Sequence, residues 1–338
     1  MLKRLFPPHR AVRKSCRLTS LHIGTGLSPA AMDLNPFRLC SGLRFLGYSM
    51  LLLVVGLIGI SYVSVVVLTC GPHLLDGGYK SFLYFLIVAL FHVLLILLTW
   101  SYLAVVFRDP GSVPANWKVF QDQDVEKDSF ISSNPLAPDD NSAMPSFSEG
   151  IERRPKHGYC SQCQNGKPPR CHHCSVCQRC VLKMDHHCIW VVNCVGARNY
   201  KCFLLFVLYT FLETVMDTLV LLPGFMNFFH EADRHSSSSG KLAITFLAFV
   251  LNLAFGLSLL CFVVMHISLL LSNTTSVEVH EKEKGVPWKY DLGWRKNVKQ
   301  VFGTRKAMWL VPLYSKEDLE KIPALHGVDF PTRSNIIV

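Results

Sequence analysis

Twelve side chains able to hold a zinc ion lie within residues 160–194, eight cysteines and four histidines in CSQCQNGKPPRCHHCSVCQRCVLKMDHHCIWVVNC. Cys160/Cys163, Cys174/Cys177 and Cys177/Cys180 are each separated by two residues, a spacing that lets neighbouring thiolates of a tight turn reach one ion. Two closed tetrahedral sites use eight ligands. Four candidates are then left over, and Cys188 is expected among them, at the end of Asp185-His186-His187-Cys188. A thiol beside histidine and aspartate, and not needed by a metal, is a candidate nucleophile. Spacing alone does not divide the ligands between the two sites, nor does it say which histidines are ligands.

The elements that must position this segment are apolar. Half of the 338 residues are hydrophobic, and mean hydropathy is +0.29. Stretches near 45–70, 81–107, 203–223 and 242–271 are each long enough to cross a bilayer, which takes roughly 20 residues. Four buried helices of a soluble bundle are the rival reading; uninterrupted apolar runs of this length favour spans. Residues 1–44 carry eight Lys/Arg, segment 108–202 twelve and the tail from 272 eleven, while loops 71–80 and 224–241 are nearly neutral. Both termini and the cysteine-rich segment are therefore expected in the cytosol. The net charge of +10 reads as a signal for orientation and anionic lipid, not nucleic acid. Cytosolic thiols are rarely paired, so dense Cys-x-x-Cys spacing there reads as zinc. Of the scattered cysteines, Cys70 and Cys261 are expected to be small buried hydrophobes, and Cys16 and Cys40 unmodified thiols.

The expected order is a basic N-terminal region (1–44), two spans (45–107), a polar linker (108–156), a cysteine-rich domain (157–202), two spans (203–271) and a cytosolic tail (272–338). Residues 1–32 contain no acid and look like an organellar transit segment; an extension upstream of a natural start at Met32 is the favoured reading. The linker, with QDQDVEKDSFISSNPLAPDDNSAMPSFSEG, shows no periodicity and reads as largely disordered. Ser236–Gly240 is expected to be a flexible loop tip. Glu213 and Asp217 fall in the third apolar stretch, four residues apart and so on one helix face. Such acids line a cavity or make a structural polar contact. The alternating aromatic and basic residues of WKYDLGWRKNVKQVFG can pack on the membrane or under the cysteine-rich domain, and the end of the tail is expected to be loosely ordered.

Cys160-x-x-Cys163, Lys167-Pro168-Pro169-Arg170, His173-Cys174-x-x-Cys177-x-x-Cys180 and Asp185-His186-His187-Cys188-x-Trp190-x-x-Asn193-Cys194-x-Gly196-x-x-Asn199 resemble the DHHC protein S-acyltransferases, or palmitoyltransferases. Asp109-Pro110-Gly111, Thr275-Ser276-Val277-Glu278, Asn297 and Phe302 are similar to the family's flanking elements, and the resemblance extends over about residues 42 to 305. It implies an α-helical integral membrane protein with four transmembrane helices and a cytosolic two-zinc domain between the second and third. It also implies the ligand sets. Cys160, Cys163, His173 and Cys180 hold one structural zinc; Cys174, Cys177, His187 and Cys194 hold the other. Cys171, His172, His186 and Cys188 are then free. In the implied mechanism His186 takes the thiol proton, Asp185 orients the imidazole, and Cys188 attacks long-chain acyl-CoA. The acyl-enzyme then passes its chain to a cysteine of a cytosolic or membrane protein. The membrane implied by family habit is the Golgi or endomembrane system, with the plasma membrane as alternative.

Three positions depart from the family's pattern. Ile189 stands where proline is common and should loosen the turn after the nucleophile slightly. Ser276 replaces a threonine but keeps a hydroxyl. Cys171 is an extra thiol, expected to be uncoordinated. Two other functions compete with an enzyme. A membrane-anchored zinc module would need no nucleophile. A metal transporter would need ligands within its spans, where the sequence offers isolated His92, Glu213, Asp217 and His266.

Overall fold

The computed structural model describes residues 40–115, 117, 158–231, 239–281 and 287–333. The transit-like segment, Cys16, most of the linker and residues 236–238 of the loop tip lie outside the described residues.

Helix α1 (Cys40–Tyr62) continues through a π-helical stretch, Val63–Cys70, and a short 3₁₀ turn, Gly71–Leu74. Thr69 Oγ1 donates to the Ser64 carbonyl at 2.7 Å, five residues back, in keeping with that wider winding. Helix α2 covers Gly78–Phe107, α3 Tyr200–Glu231 and α4 Ser239–Leu271. Four segments are long and apolar enough to cross a membrane: Ser49–Leu74, Gly78–Phe107, Tyr200–Phe229 and Gly240–Leu271. The third runs past the expected end at 223, because Pro223 lies inside α3 and the apolar run resumes beyond it.

The outward faces of these helices decide against a soluble bundle. Leu52, Phe82, Ile96, Leu219 and Val264 are all more than half exposed. Side chains of this kind, spread along every helix, leave a continuous apolar surface of a size that a soluble protein avoids. The inward faces form two cores. One gathers Tyr102, Val105, Val191, Phe203 and Val207 at the end next to the cysteine-rich domain; the other gathers Val65, Phe91, Leu221 and Phe249 towards the opposite end. Cys70 is buried as expected, whereas Cys261 is exposed on α4. The expectation for Cys261 was wrong because an apolar helix does not reveal which of its faces meets lipid.

Between α2 and α3 the chain folds into three two-stranded antiparallel hairpins: β1 (Tyr159–Cys160) with β2 (Asn165–Gly166), β3 (His172–Cys174) with β4 (Arg179–Val181), and β5 (His186–Cys188) with β6 (Asn193–Val195). Asp109-Pro110-Gly111 ties them to α2. The Arg179 guanidinium donates to Asp109 at 3.1 Å, the Leu182 amide to the Gly111 carbonyl at 3.0 Å and the Arg198 amide to the Pro110 carbonyl at 3.1 Å. Gly196 permits this approach. A Cβ there would lie 2.8 Å from both the Pro110 and Leu182 carbonyl oxygens, where no side chain fits.

The tail packs under the hairpins. Trp288, Tyr290 and Phe330 form a cluster with Ala324, and the tail also holds helices α5 (Trp294–Phe302) and α6 (Lys316–Lys321). Asn297 is fully buried and donates to the Leu271 carbonyl at the end of α4 and to Asp291. Lys201, also fully buried, donates to the carbonyls of Met308 and Leu313. The tail is packed as far as residue 333; its last residues, 334–338, for which a loosely ordered end is expected, lie outside the described residues. Leu325 and Phe330 are buried there, because Arg170 and Lys183 of the cysteine-rich domain offer cations for the Phe330 ring to cover.

Candidate active site

The three hairpins are one unit repeated every fourteen residues, at Cys160, Cys174 and Cys188. Each begins its turn with a cysteine and bends at a residue with positive φ four positions on: Gln164 (50°), Gln178 (52°) and Val192 (52°). Strand registers repeat as well, pairing Tyr159 with Gly166, His173 with Cys180 and His187 with Cys194. The Cys-x-x-Cys of one hairpin meets the His/Cys pair of the next. Cys160, Cys163, His173 and Cys180 converge in this way, and so do Cys174, Cys177, His187 and Cys194, each set with donor atoms within 4.8 Å of one another.

The donors suit zinc. His173 Nδ1 lies 3.6, 3.3 and 3.9 Å from the sulfurs of Cys160, Cys163 and Cys180, and His187 Nδ1 lies 3.8, 3.4 and 3.6 Å from those of Cys174, Cys177 and Cys194. Zinc–sulfur and zinc–nitrogen bonds at tetrahedral angles put neighbouring ligand atoms about 3.6 Å apart.

In the third hairpin the pattern stops. Val191, fully buried, stands where the second cysteine of the pair would be, and no fourth hairpin follows before α3. Cys188 thus has the position of a ligand without the partners of one. Adjacent strand residues point to opposite faces. His187 turns to the metal cluster, while His186 and Cys188 share the other face. That face looks into a cavity of about 420 Å³ between the helices, lined by His186, Cys188, Trp190 and apolar side chains such as Leu57, Leu98, Phe206 and Phe255.

Asp185 is almost fully buried and fixes the His186 ring. Its Oδ2 lies 2.6 Å from His186 Nδ1, and Ser276 gives it two more bonds of 3.0 Å, from the backbone amide and the hydroxyl. Burial pushes the Asp185 carboxyl up, but the hydrogen bonds and charge of His186 outweigh burial and hold it below the usual carboxylate range. Burial pushes His186 down; its bonds to Asp185 and Cys188 outweigh this and raise it to about 9. A carboxylate, an imidazole and a thiol in series are the parts of a nucleophile, base and orienter set.

Comparison with known proteins agrees with this arrangement. The family model described as DHHC palmitoyltransferase matches residues 153–283. Probable protein S-acyltransferase 12 of Arabidopsis thaliana is 60% identical over 305 residues, covering 90% of this chain and 99% of the relative. The chain belongs to the DHHC palmitoyltransferase family. Probable protein S-acyltransferase 14 of the same plant is 50% identical over 306 residues, with 90% and 97% covered. Palmitoyltransferase ZDHHC20 of Bos taurus is 31% identical over 304 residues, with 88% and 79% covered. The protein is an enzyme, a protein S-acyltransferase with four transmembrane helices and two Cys/His clusters that fit zinc.

Several residues of this acyltransferase site were not singled out as its supports from sequence. Arg170 is buried and donates twice to Glu278, at 2.6 and 2.7 Å, and twice to Asn273. Its guanidinium is also covered by Tyr290 and Phe330. Glu278 in turn accepts from the Thr275 amide, which sets the backbone that presents Ser276 to Asp185. The role of Ser276 is thus larger than keeping a hydroxyl. Asn193 holds the other side, donating to the carbonyls of Val105, Val106 and Arg108 at the end of α2. His266, from α4, places its ring 6.0 Å from that of His186, and its Nδ1 lies 3.3 Å from the Tyr200 hydroxyl. A lone histidine in an apolar helix gave no sign of this neighbour. Ile189 is partly exposed at the cavity mouth and Cys171 is buried beside the first cluster, outside its ligand set.

Replacing Arg170 with Ala leaves Glu278 charged, buried and unpaired. The expected loss is about 3–5 kcal/mol, measured by denaturant unfolding in detergent. Burial alone would raise the Glu278 carboxyl, but its bonds to Arg170 hold it below the ordinary glutamate range. This contribution is therefore complete above the unfolded glutamate pKa and is lost as pH falls through the lowered value. In the Arg170→Ala protein that acid-side loss of stability should flatten.

Proposed function

We infer that the chain transfers a long-chain acyl group from acyl-CoA to protein cysteines through a thioester on Cys188. The observation that carries this reading is the shared face of His186 and Cys188 at the mouth of an apolar cavity. His186 takes the proton of the Cys188 thiol, and Asp185 and Ser276 keep the ring in place. The thiolate attacks the acyl carbonyl. A bond from Sγ to the acyl carbon forms, the bond from that carbon to the sulfur of CoA breaks, and the leaving thiolate recovers the proton from His186. An acceptor cysteine then repeats the exchange and frees Cys188. Each CH₂ placed in the cavity contributes roughly 0.8 kcal/mol, so a C16 chain is held strongly while the acceptor approaches. Cys160, Cys163, His173 and Cys180 would hold one structural zinc and Cys174, Cys177, His187 and Cys194 the other, which would fix the hairpins that present β5. Lys/Arg side chains near the site supply charge for CoA phosphates.

The test is a pre-steady-state reaction of purified chain with palmitoyl-CoA and no acceptor. One equivalent of CoA should be released in a burst, with a matching hydroxylamine-labile adduct. Release of CoA without an adduct would mean direct hydrolysis and remove the covalent step.

The site requires a cytosolic supply of acyl-CoA, which fits the basic charge of both termini and of segment 108–202. Glycosylation acceptors introduced at 120–145 should remain unmodified in cells, while one at 232–240 is used. Modified linker sites would reverse this orientation. The Golgi or endomembrane system is the proposed location, with the plasma membrane as the alternative.

A further inference from the structure

Two carboxyl groups in the cavity wall have no part in the chemistry above. Glu213 and Asp217 are 6% and 0% exposed and both line the cavity; neither Glu213 oxygen has a hydrogen-bond partner among the described residues, while the Asp217 carboxyl has the Ser61 hydroxyl beside it. Their surroundings are polar as well. Ser61, Thr214 and Asn252 line the same cavity, and Asn252 donates to the Ser61 hydroxyl at 2.9 Å. Thr214 donates its own proton to the Phe211 carbonyl at 2.9 Å, so it is not a donor for the acids. A purely hydrocarbon ligand reaching this end would leave the Glu213 carboxyl without water or partner, at a cost of about 1–3 kcal/mol, and Asp217 with Ser61 as its neighbour.

The position of the acids along α3 sets what could reach them. Phe203 packs on the His186 ring, with centroids 5.0 Å apart, and marks the reacting end. Glu213 is ten residues further and Asp217 fourteen, or about 15 and 21 Å along the helix. An extended chain advances about 1.2 Å per bond. The acids therefore stand beside roughly the twelfth to seventeenth bond of an acyl chain attached at Cys188.

We propose that the inner end of this cavity is a polar subsite for an acyl chain bearing a hydroxyl at or near its far end. The proposal rests on Cys188 as the acylated residue and adds a chemical class of donor. A hydroxyl both donates and accepts, so it pairs with a carboxyl group in either protonation state. Water filling the same space is the competing occupant.

The experiment is a competition. Purified chain in detergent is given equal amounts of palmitoyl-CoA and 16-hydroxypalmitoyl-CoA, and the two Cys188 adducts are resolved by intact mass, being one oxygen apart. The hydroxylated adduct should form about 2- to 10-fold faster, the equivalent of one net hydrogen bond. The Glu213→Leu/Asp217→Leu pair should reverse the preference towards palmitoyl. The Glu213→Gln/Asp217→Asn pair, close in shape and still hydrogen-bonding, should keep it. Adducts of both chains in equal amount, or a wild-type preference for palmitoyl, would overturn the subsite and leave the acids to water. This outcome comes from the unaltered protein, so it stands even if the leucine pair fails to fold. No adduct from either chain would sink the acyl-enzyme reading, and the subsite with it.

Discussion

Cys188→Ser is expected to abolish the acyl-enzyme while leaving zinc content and folding unchanged. The third hairpin supplies His187 and Cys194 to the second cluster, but Cys188 lies on the opposite face and is not among either set of converging donors. Removing its sulfur therefore costs no ligand. It does remove the proposed nucleophile, because a serine hydroxyl is far harder to ionise than a thiol. His186→Ala should also keep both ions. It removes the group that joins Asp185 to Cys188, and acylation should slow by roughly 10²–10⁴-fold. His187→Ala differs in kind, since its Nδ1 lies within 3.8 Å of three sulfurs. Metal and activity should be lost together. All three proteins are purified in detergent, and zinc and hydroxylamine-labile adduct are measured on the same samples. Loss of zinc from Cys188→Ser, or a labile adduct on it, would remove Cys188 from the role of nucleophile.

Two zinc ions per folded chain form the second large expectation. Binding at a structural zinc site is worth about 10–16 kcal/mol in small zinc domains, more than a domain of this size holds in reserve. Cys174→Ala should therefore unfold the hairpins rather than weaken them. The interleaving makes the damage spread. Cys174 belongs to the second cluster, yet its hairpin carries His173 and Cys180 of the first. His173→Ala should act alike from the other side. Cys171→Ala should retain both ions, since the Cys171 thiol is buried beside the first cluster without joining it. Elemental analysis and limited proteolysis of the three variants read out the difference. A single zinc in the folded wild-type chain would refute the two-site arrangement.

Much of this protein is written in local sequence. Span number follows from uninterrupted apolar length, because a bilayer core has a fixed thickness. Zinc chemistry follows from Cys-x-x-Cys spacing, because a tight turn brings two such thiolates to one ion. The fourteen-residue recurrence of Cys160, Cys174 and Cys188, with valine at 191 in place of a cysteine, was equally present in the chain. It became visible only once the hairpin registers aligned the three units.

Other features depend on which distant faces meet, and no local pattern encodes that. Helix α4 brings His266 to His186, and the segment after it brings Ser276 to Asp185 across ninety-one residues. Arg170 finds Glu278 across one hundred and eight. The two acids of α3 could be placed on one helix face from sequence, because the helical repeat requires it. That this face borders the cavity, and that Glu213 finds no hydrogen-bond partner among the described residues, was decided by the packing of the helices around it. Residue type and spacing thus determined the chemistry available to the chain. Tertiary packing determined which thiol was left free, what holds its histidine, and how polar the far end of its cavity is.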